Sequence, residues 1–286
     1  MHRYRYSAVG LLVLGMVSVQ LGAAFAITLF DELGGGGTVF LRVVFAAAIL
    51  LAVFRPRIRG RSPEDLRLAV AFGVVLGLMN WSFYESIERI PLGASVTIEF
   101  LGPLAVAVWK SRRRLDLLWV ALAATGIVLI ADPFTGGGLD GLGVALALVA
   151  GALWGAYILL SARVGRVWPQ ASGLAVSCAV AAVITLPAGI AEGGSQLLSP
   201  ELLAAGALVG LACSVIPYGL EMEALRRIPE GVFGVLMSLE PAIAALAGLA
   251  VLGQGLSALD VVAIGLVVVA SAGAAAEASR PVVITA

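Results

Sequence analysis

The run IPLGASVTIEFLGPLAVAVW, residues 90–109, returns in altered form as IPEGVFGVLMSLEPAIAALAGLAV at 228–251. Adding 138 to each number carries Arg89, Ile90, Pro91 and Gly93 onto Arg227, Ile228, Pro229 and Gly231. The same step carries Glu85, Leu101, Pro103 and Ala107 onto Glu223, Leu239, Pro241 and Ala245. Eight identities fall in the 28 ungapped positions 81–108. A duplication at fixed offset constrains the fold to two similar units. Each copy is long enough to cross a bilayer, and each holds a carboxylate near its middle, Glu99 in the first and Glu240 in the second.

Only 13% of the 286 residues are charged and 60% are hydrophobic. Soluble domains carry about 25% charged residues, so this chain has too little charge to cover a soluble surface and must face lipid. Net charge is zero, and the basic residues sit in short loop clusters rather than along one face, which argues against nucleic acid. The one histidine is His2, and the two cysteines, Cys178 and Cys213, lie inside apolar runs without metal-ligand spacing. Metal sites, histidine catalysis and cofactor binding are therefore not expected, and the glycine runs at 34–37 and 136–138 lack the Lys-Ser/Thr of a phosphate loop and read as flexible turns. Ala24-Phe25-Ala26 resembles a signal cleavage site, but apolar runs continue to the C-terminus, so the first run reads as the first of many spans.

A span needs about 20 apolar residues, and ten candidates emerge: 8–30, 38–54, 67–86, 91–109, 115–131, 139–161, 171–191, 201–223, 229–251 and 256–276. The second and fifth are the shortest. The runs do not alternate polar with apolar residues as barrel strands would, so the fold class is an all-α membrane protein. With the N-terminus inside, sixteen of the eighteen Lys and Arg residues fall in inside loops, Arg89 alone lies outside, and Arg42 sits within a span. The positive-inside rule then places both termini in the cytoplasm. Ten helices divide into five and five, over 8–131 and 139–276, and an odd number per unit inverts the second relative to the first. Inverted repeats of this kind recur in secondary transporters, with the binding site at the midplane between them.

Glu99 and Glu240 fall near that midplane, where ionisable groups are costly and where a carboxyl that exchanges a proton could couple transport to a gradient. The competing reading is a permanently protonated acid that sets helix packing. The two acids are offset by 141 rather than 138, so they occupy neighbouring faces of related helices. Pro103 and Pro241 each remove a helix hydrogen bond and free the carbonyl four residues back, that of Glu99 or Met237, which predicts kinks beside the acids. Arg42 could hold a substrate carboxylate, answer Glu99 or the Asp31/Glu32 turn, or snorkel to the interface. Asn80 maps onto Tyr218, and with Trp81, Tyr84, Trp154, Tyr157 and Glu221 they are candidates for the walls of a binding cavity; aromatics near helix ends can equally form an interfacial belt. Gly73/Gly77, Gly151/Gly155 and Gly206/Gly210 have the spacing of close helix contacts.

The segments NWSFYESIERIPLGASVTIEFLGPLAVAV and IPYGLEMEALRRIPEGVFGVLMSLEPAIAALAGLAVLGQ, with SVQLGAAFA at 18–26 and LLAVFRPR at 50–57, carry a family likeness. They resemble the EamA-type branch of the drug/metabolite transporter superfamily, and within it the bacterial inner-membrane threonine and homoserine exporters. The resemblance covers about 8–276. It implies ten helices in two EamA repeats, export of small amino acids in exchange for protons, and family-typical acids at Glu99, Glu221 and Glu240. One departure is Gln254, where the family has an acid; an amide cannot titrate, so no proton role falls there.

The expected function is proton-coupled export of threonine, homoserine or a related metabolite across the cytoplasmic membrane. Its partners are the small-molecule substrate, protons and the lipid bilayer, and a homodimer is compatible with the sequence. The alternative is a passive channel or facilitator for small polar solutes; a membrane-embedded enzyme lacks a nucleophile–base pair.

Overall fold

The computed structural model describes residues 2–111, 115–131, 138–169, 171–228 and 230–278. These residues form thirteen α-helices and, among the described residues, no strand. In chain order the helices are α1 (His2–Ile27), α2 (Phe30–Phe54), α3 (Pro63–Ile87), α4 (Leu92–Glu99), α5 (Leu101–Ser111), α6 (Asp116–Ala131) and α7 (Gly141–Val167). There follow α8 (Ser172–Gly193), α9 (Pro200–Gly210), α10 (Ile216–Leu225), α11 (Glu230–Met237), α12 (Glu240–Leu252) and α13 (Ala258–Ala278). Three pairs, α4–α5, α9–α10 and α11–α12, are single crossings interrupted part-way, the middle one by a π-helical turn over Leu211–Val215.

Among the described residues nine helical stretches are long and apolar enough to cross a membrane, and a tenth apolar helix, α6, has 16 residues. At about 1.5 Å per residue α6 covers roughly 24 Å, short of a hydrocarbon core of about 30 Å. It opens on Asp116, which is buried. Large apolar side chains point outward along the bundle, for example Leu117, Val183 and Val261 at 75%, 67% and 57% exposure. That surface suits lipid, which the composition requires.

Local chemistry sets the helix limits. Ser62 accepts from Asp65 N at 3.1 Å, with Pro63 in the first turn of α3; Asp140 Oδ1 accepts from Gly143 N at 2.7 Å at the start of α7. Both are side-chain N-caps that satisfy otherwise free amides.

The three small-residue pairs make close contacts. Gly73 and Gly77 pack on α8 at Val180 and Ile184, Gly206 and Gly210 on α2 at Leu41 and Phe45, and Gly151 and Gly155 on the α4–α5 junction. Lipid offers helices no hydrophobic drive to associate, so close backbone approach is what holds them.

The glycine run at 34–37 differs from its reading as a flexible turn: it lies within α2, bent at Gly34 where φ is +66°. Gly36 N donates to Glu192 Oε2 at 2.6 Å, and Gly37 lies against Gly193. The absent side chains let α2 and the end of α8 touch. Most of the 136–138 run lies outside the described residues.

The principal helix pairs are α2 with α8, α3 with α7 and α8, α6 with α13, α1 with α10, and α4 with α12. Leu12 and Met16 of α1 cluster with Ala224 and Ile228 at one end of the bundle. At the opposite end Ile90 and Ala94 cluster with Ala147, Ala245 and Ile264.

Candidate functional site

A cavity of about 1250 Å³ occupies the centre of the bundle and runs toward the end that holds the start of α11 and the close of α13. Toward that end its wall is formed by Leu104 and Ala107 of α5, Val232 and Leu236 of α11, and Ala275 of α13. The other end is shut. There a Cβ placed on Gly93 would fall 2.7 Å from Ala245 Cα and 3.2 Å from its N, so α4 and α12 meet backbone to backbone. Gln254 Oε1 accepts the Leu92 amide at 3.0 Å, capping the first turn of α4 beside that contact. The family's acid would accept the same proton; the amide serves as well for a cap.

Glu99 and Glu240 both line the cavity, and both are buried, 8% and 7% exposed. The helix breaks bring them there. Glu99 is the last residue of α4 and Glu240 the first of α12, so the three-residue offset, nearly one turn, leaves one acid before its break and the other after. Their surroundings differ accordingly. Gln20 Nε2 of α1 donates to Glu240 Oε1 at 3.1 Å. Glu99 closes a helix, where the backbone presents carbonyls. Pro103 leaves the Glu99 carbonyl without its helical donor, and that oxygen lies against Gly151, where an added Cβ would be 2.7 Å away. Pro241 sits in the first turn of α12, directly after the second break. The expected kinks are thus full interruptions.

Arg42 reaches the cavity from α2. It does not snorkel, and Asp31 and Glu32 are exposed at the helix start. Its Nη2 donates to Cys213 O at 3.3 Å and its guanidinium carbon lies 5.4 Å from the Tyr84 ring centroid. Asn80, Trp154, Tyr157, Tyr218 and Glu221 also line the cavity. Tyr157 and Tyr218 neighbour each other, with Glu221 close by toward the mouth.

Two expected wall residues lie elsewhere. Trp81 is 39% exposed on the outside of the bundle, where Nε1 donates to Glu85 Oε1 at 3.2 Å. Successive helical residues point about 100° apart, so with Asn80 inward Trp81 must turn away. Tyr84 is fully buried behind Arg42, packed on Phe30 and Phe83, and supports the guanidinium rather than the cavity surface.

Gln20, Ser18 and Pro217 were not singled out by sequence. A lone amide in the middle of the first apolar run was the available signal for Gln20; its partner lies 220 residues away. Pro217 breaks an apolar run as Pro103 and Pro241 do, with Glu221 one turn after it.

The EamA-like transporter family matches residues 141–275. The threonine/homoserine exporter RhtA of Salmonella typhimurium strain SL1344 is 41% identical over 264 residues, covering 92% of this chain and 89% of that protein. RhtA of Escherichia coli K12 is likewise 41% identical, over 265 residues with the same coverage. The uncharacterized transporter YwfM of Bacillus subtilis strain 168 is 27% identical over 237 residues, 80% of this chain and 73% of that protein. One crystal structure superposes with a TM-score of 0.63 at 17% identity, covering 94% of this chain and 96% of that one, which shows a shared fold.

Proposed function

The chain belongs to the EamA-like transporter family within the drug/metabolite transporters, and from that membership we propose that it exports threonine, homoserine or a related small amino acid across the cytoplasmic membrane by proton antiport. The observation that carries this reading is the meeting of two buried acids, Glu99 and Glu240, with one guanidinium, Arg42, in a single central cavity. A zwitterionic solute needs both signs of charge, and proton exchange needs a carboxyl that the cavity reaches. Asn80, Tyr157, Tyr218 and Glu221 supply further polar wall for the solute. Trp81 and Tyr84 are withdrawn from that role.

We read the crossings as ten, in two inverted five-helix repeats over 8–131 and 139–276. Under the 138-residue offset α2 packs on its image α8 and α6 on its image α13; α4 packs on α12, which belongs to the image of its own crossing, and α3 on α7 answers α10 on α1. The ion pair of Arg89 with Glu85, at 2.9 Å, also has its image in Arg227 with Glu223. Alternating access follows from such a frame: exchanging the conformations of the two repeats would shut the open mouth and open the shut end.

The open mouth lies at the end rich in arginine. Arg61 there donates to Val167 O at 2.8 Å and stacks 4.6 Å above the Trp168 ring. By the positive-inside rule that end, with both termini, is cytoplasmic, so the cavity faces the compartment from which an exporter collects its cargo. The chemistry is transport rather than catalysis, as in the named relatives.

A panel of labelled amino acids loaded into cells overproducing the chain tests the reading. Faster efflux of threonine or homoserine than of the remaining amino acids is expected; uniform efflux of every small polar solute, unaffected by pH, would favour a passive facilitator.

A further inference from the structure

Arg42 is held by an unusual support, and the support explains what the guanidinium is free to bind. Proline has no N–H, so Pro217 cannot donate to the carbonyls four and five residues before it. Those are Cys213 and Ala212, within the π-helical turn Leu211–Val215. Each is taken instead by a side chain from another helix. Arg42 Nη2 donates to Cys213 O at 3.3 Å, and Ser18 Oγ donates to Ala212 O at 2.8 Å. Gly206 and Gly210 make the reach short by letting α9 lie on α2; a Cβ at Gly210 would stand 2.8 Å from Arg42 O.

The guanidinium is therefore gripped on one edge by a neutral carbonyl and from behind by the Tyr84 ring. Its Nε is buried with no hydrogen-bond partner, and among the described residues no carboxylate lies within ion-pair distance of it. It faces the cavity all the same. A buried cation with an unused donor at the wall of a cavity is incomplete until an anion arrives, and a planar carboxylate matches the fork geometry of arginine.

We propose that Arg42 is a carboxylate-selective subsite toward the shut side of the cavity, and that Pro217 is its positioning residue. The inference rests on the amino-acid reading above for the identity of the cargo. The carboxylate end is held at Arg42, which leaves the opposite, cationic end of the solute toward Glu99 and Glu240. The subsite separates free amino acids from their esters, lactones and alcohols, which lack the anion. Pro217 acts by keeping Cys213 O without a helical donor; an N–H at position 217 would compete for that carbonyl and loosen the guanidinium.

The test is equilibrium binding of L-threonine and L-threoninol, its carboxylate-free alcohol, to the purified full chain in nanodiscs. Wild type is expected to bind threonine at least about tenfold tighter, the scale of a charge-assisted pair. Arg42→Gln should bring the ratio close to one, with Arg42→Lys intermediate. Pro217→Ala should lower the ratio while the melting temperature is kept, an effect that simple packing damage would not produce because it weakens both ligands alike. Equal wild-type affinity for the two compounds overturns the subsite and leaves the exporter reading standing. If threonine does not bind but another amino acid from the efflux panel does, and is preferred over its own alcohol, the subsite holds and the threonine/homoserine cargo falls. If no carboxylate in the panel binds better than its alcohol, the subsite is refuted.

Discussion

Gly93 offers the sharpest test of how the shut end is held. Adding one methyl there places Cβ 2.7 Å from Ala245 Cα, 2.8 Å from its Cβ and 3.2 Å from its N. Two of these are backbone atoms and none is a flexible tip, so α4 and α12 must separate. Overpacking of this kind costs about 1–3 kcal/mol. If the contact exists only while that end is shut, the whole cost falls on one conformer. An equilibrium between conformers then shifts by about 5–150-fold toward the one in which α4 and α12 are apart. The assay is alkylation of a single cysteine at Ser238, a cavity-lining residue, by a membrane-impermeant maleimide from each side of oriented vesicles, in an otherwise cysteine-free background. Gly93→Ala should raise labelling from the side of the shut end and lower it from the other. Unchanged labelling on both sides, with an unchanged melting temperature, would refute the view that this contact is a gate.

Gln254→Ala should weaken the same closure by removing the acceptor of the Leu92 amide, a loss of about 1–3 kcal/mol if the amide stays dry, seen as a lower melting temperature. Gln254→Glu should keep the cap and most of the stability. Trp168→Ala removes a side chain only 2% exposed that stacks on Arg61, and about 3–5 kcal/mol of destabilisation is expected in thermal unfolding. Glu223 is held below the usual carboxylate range by its hydrogen bond to Arg227. Any stability it adds is present above the unfolded value and lost only as pH falls through the acid range. Because the pair is exposed, Glu223→Gln should leave the melting temperature unchanged at pH 7; a clear drop there would show the pair to be structurally important.

What was legible in the sequence was whatever a period or a break can carry. Apolar length located the nine described stretches long enough to cross a membrane, and Pro103 and Pro241 announced the interruptions that bring Glu99 and Glu240 into one cavity. Small-residue spacing announced three close helix contacts. Features that depend on a distant partner were hidden. The glycines at 34–37 read as a turn because glycine suits turns, yet three of the four serve close approach to α8. Trp81 and Tyr84 share a helix with Asn80, and only the rotation of α3 in the bundle decides which of them faces the cavity. The role of Pro217 rests on two side chains from α1 and α2 that sequence distance cannot connect. The acids show the same limit in milder form: their offset of three residues read as neighbouring faces of related helices, and it places one on each side of matching breaks.

The central claim is that Glu99 and Glu240 tie solute export to proton entry. It is tested most directly by threonine flux in proteoliposomes under an imposed pH gradient, with wild type, Glu99→Gln and Glu240→Gln measured side by side. The account predicts that the gradient accelerates wild-type flux and that the acceleration is lost in at least one variant, while exchange of threonine for threonine persists. Gradient-driven flux at the wild-type rate in both variants would contradict it.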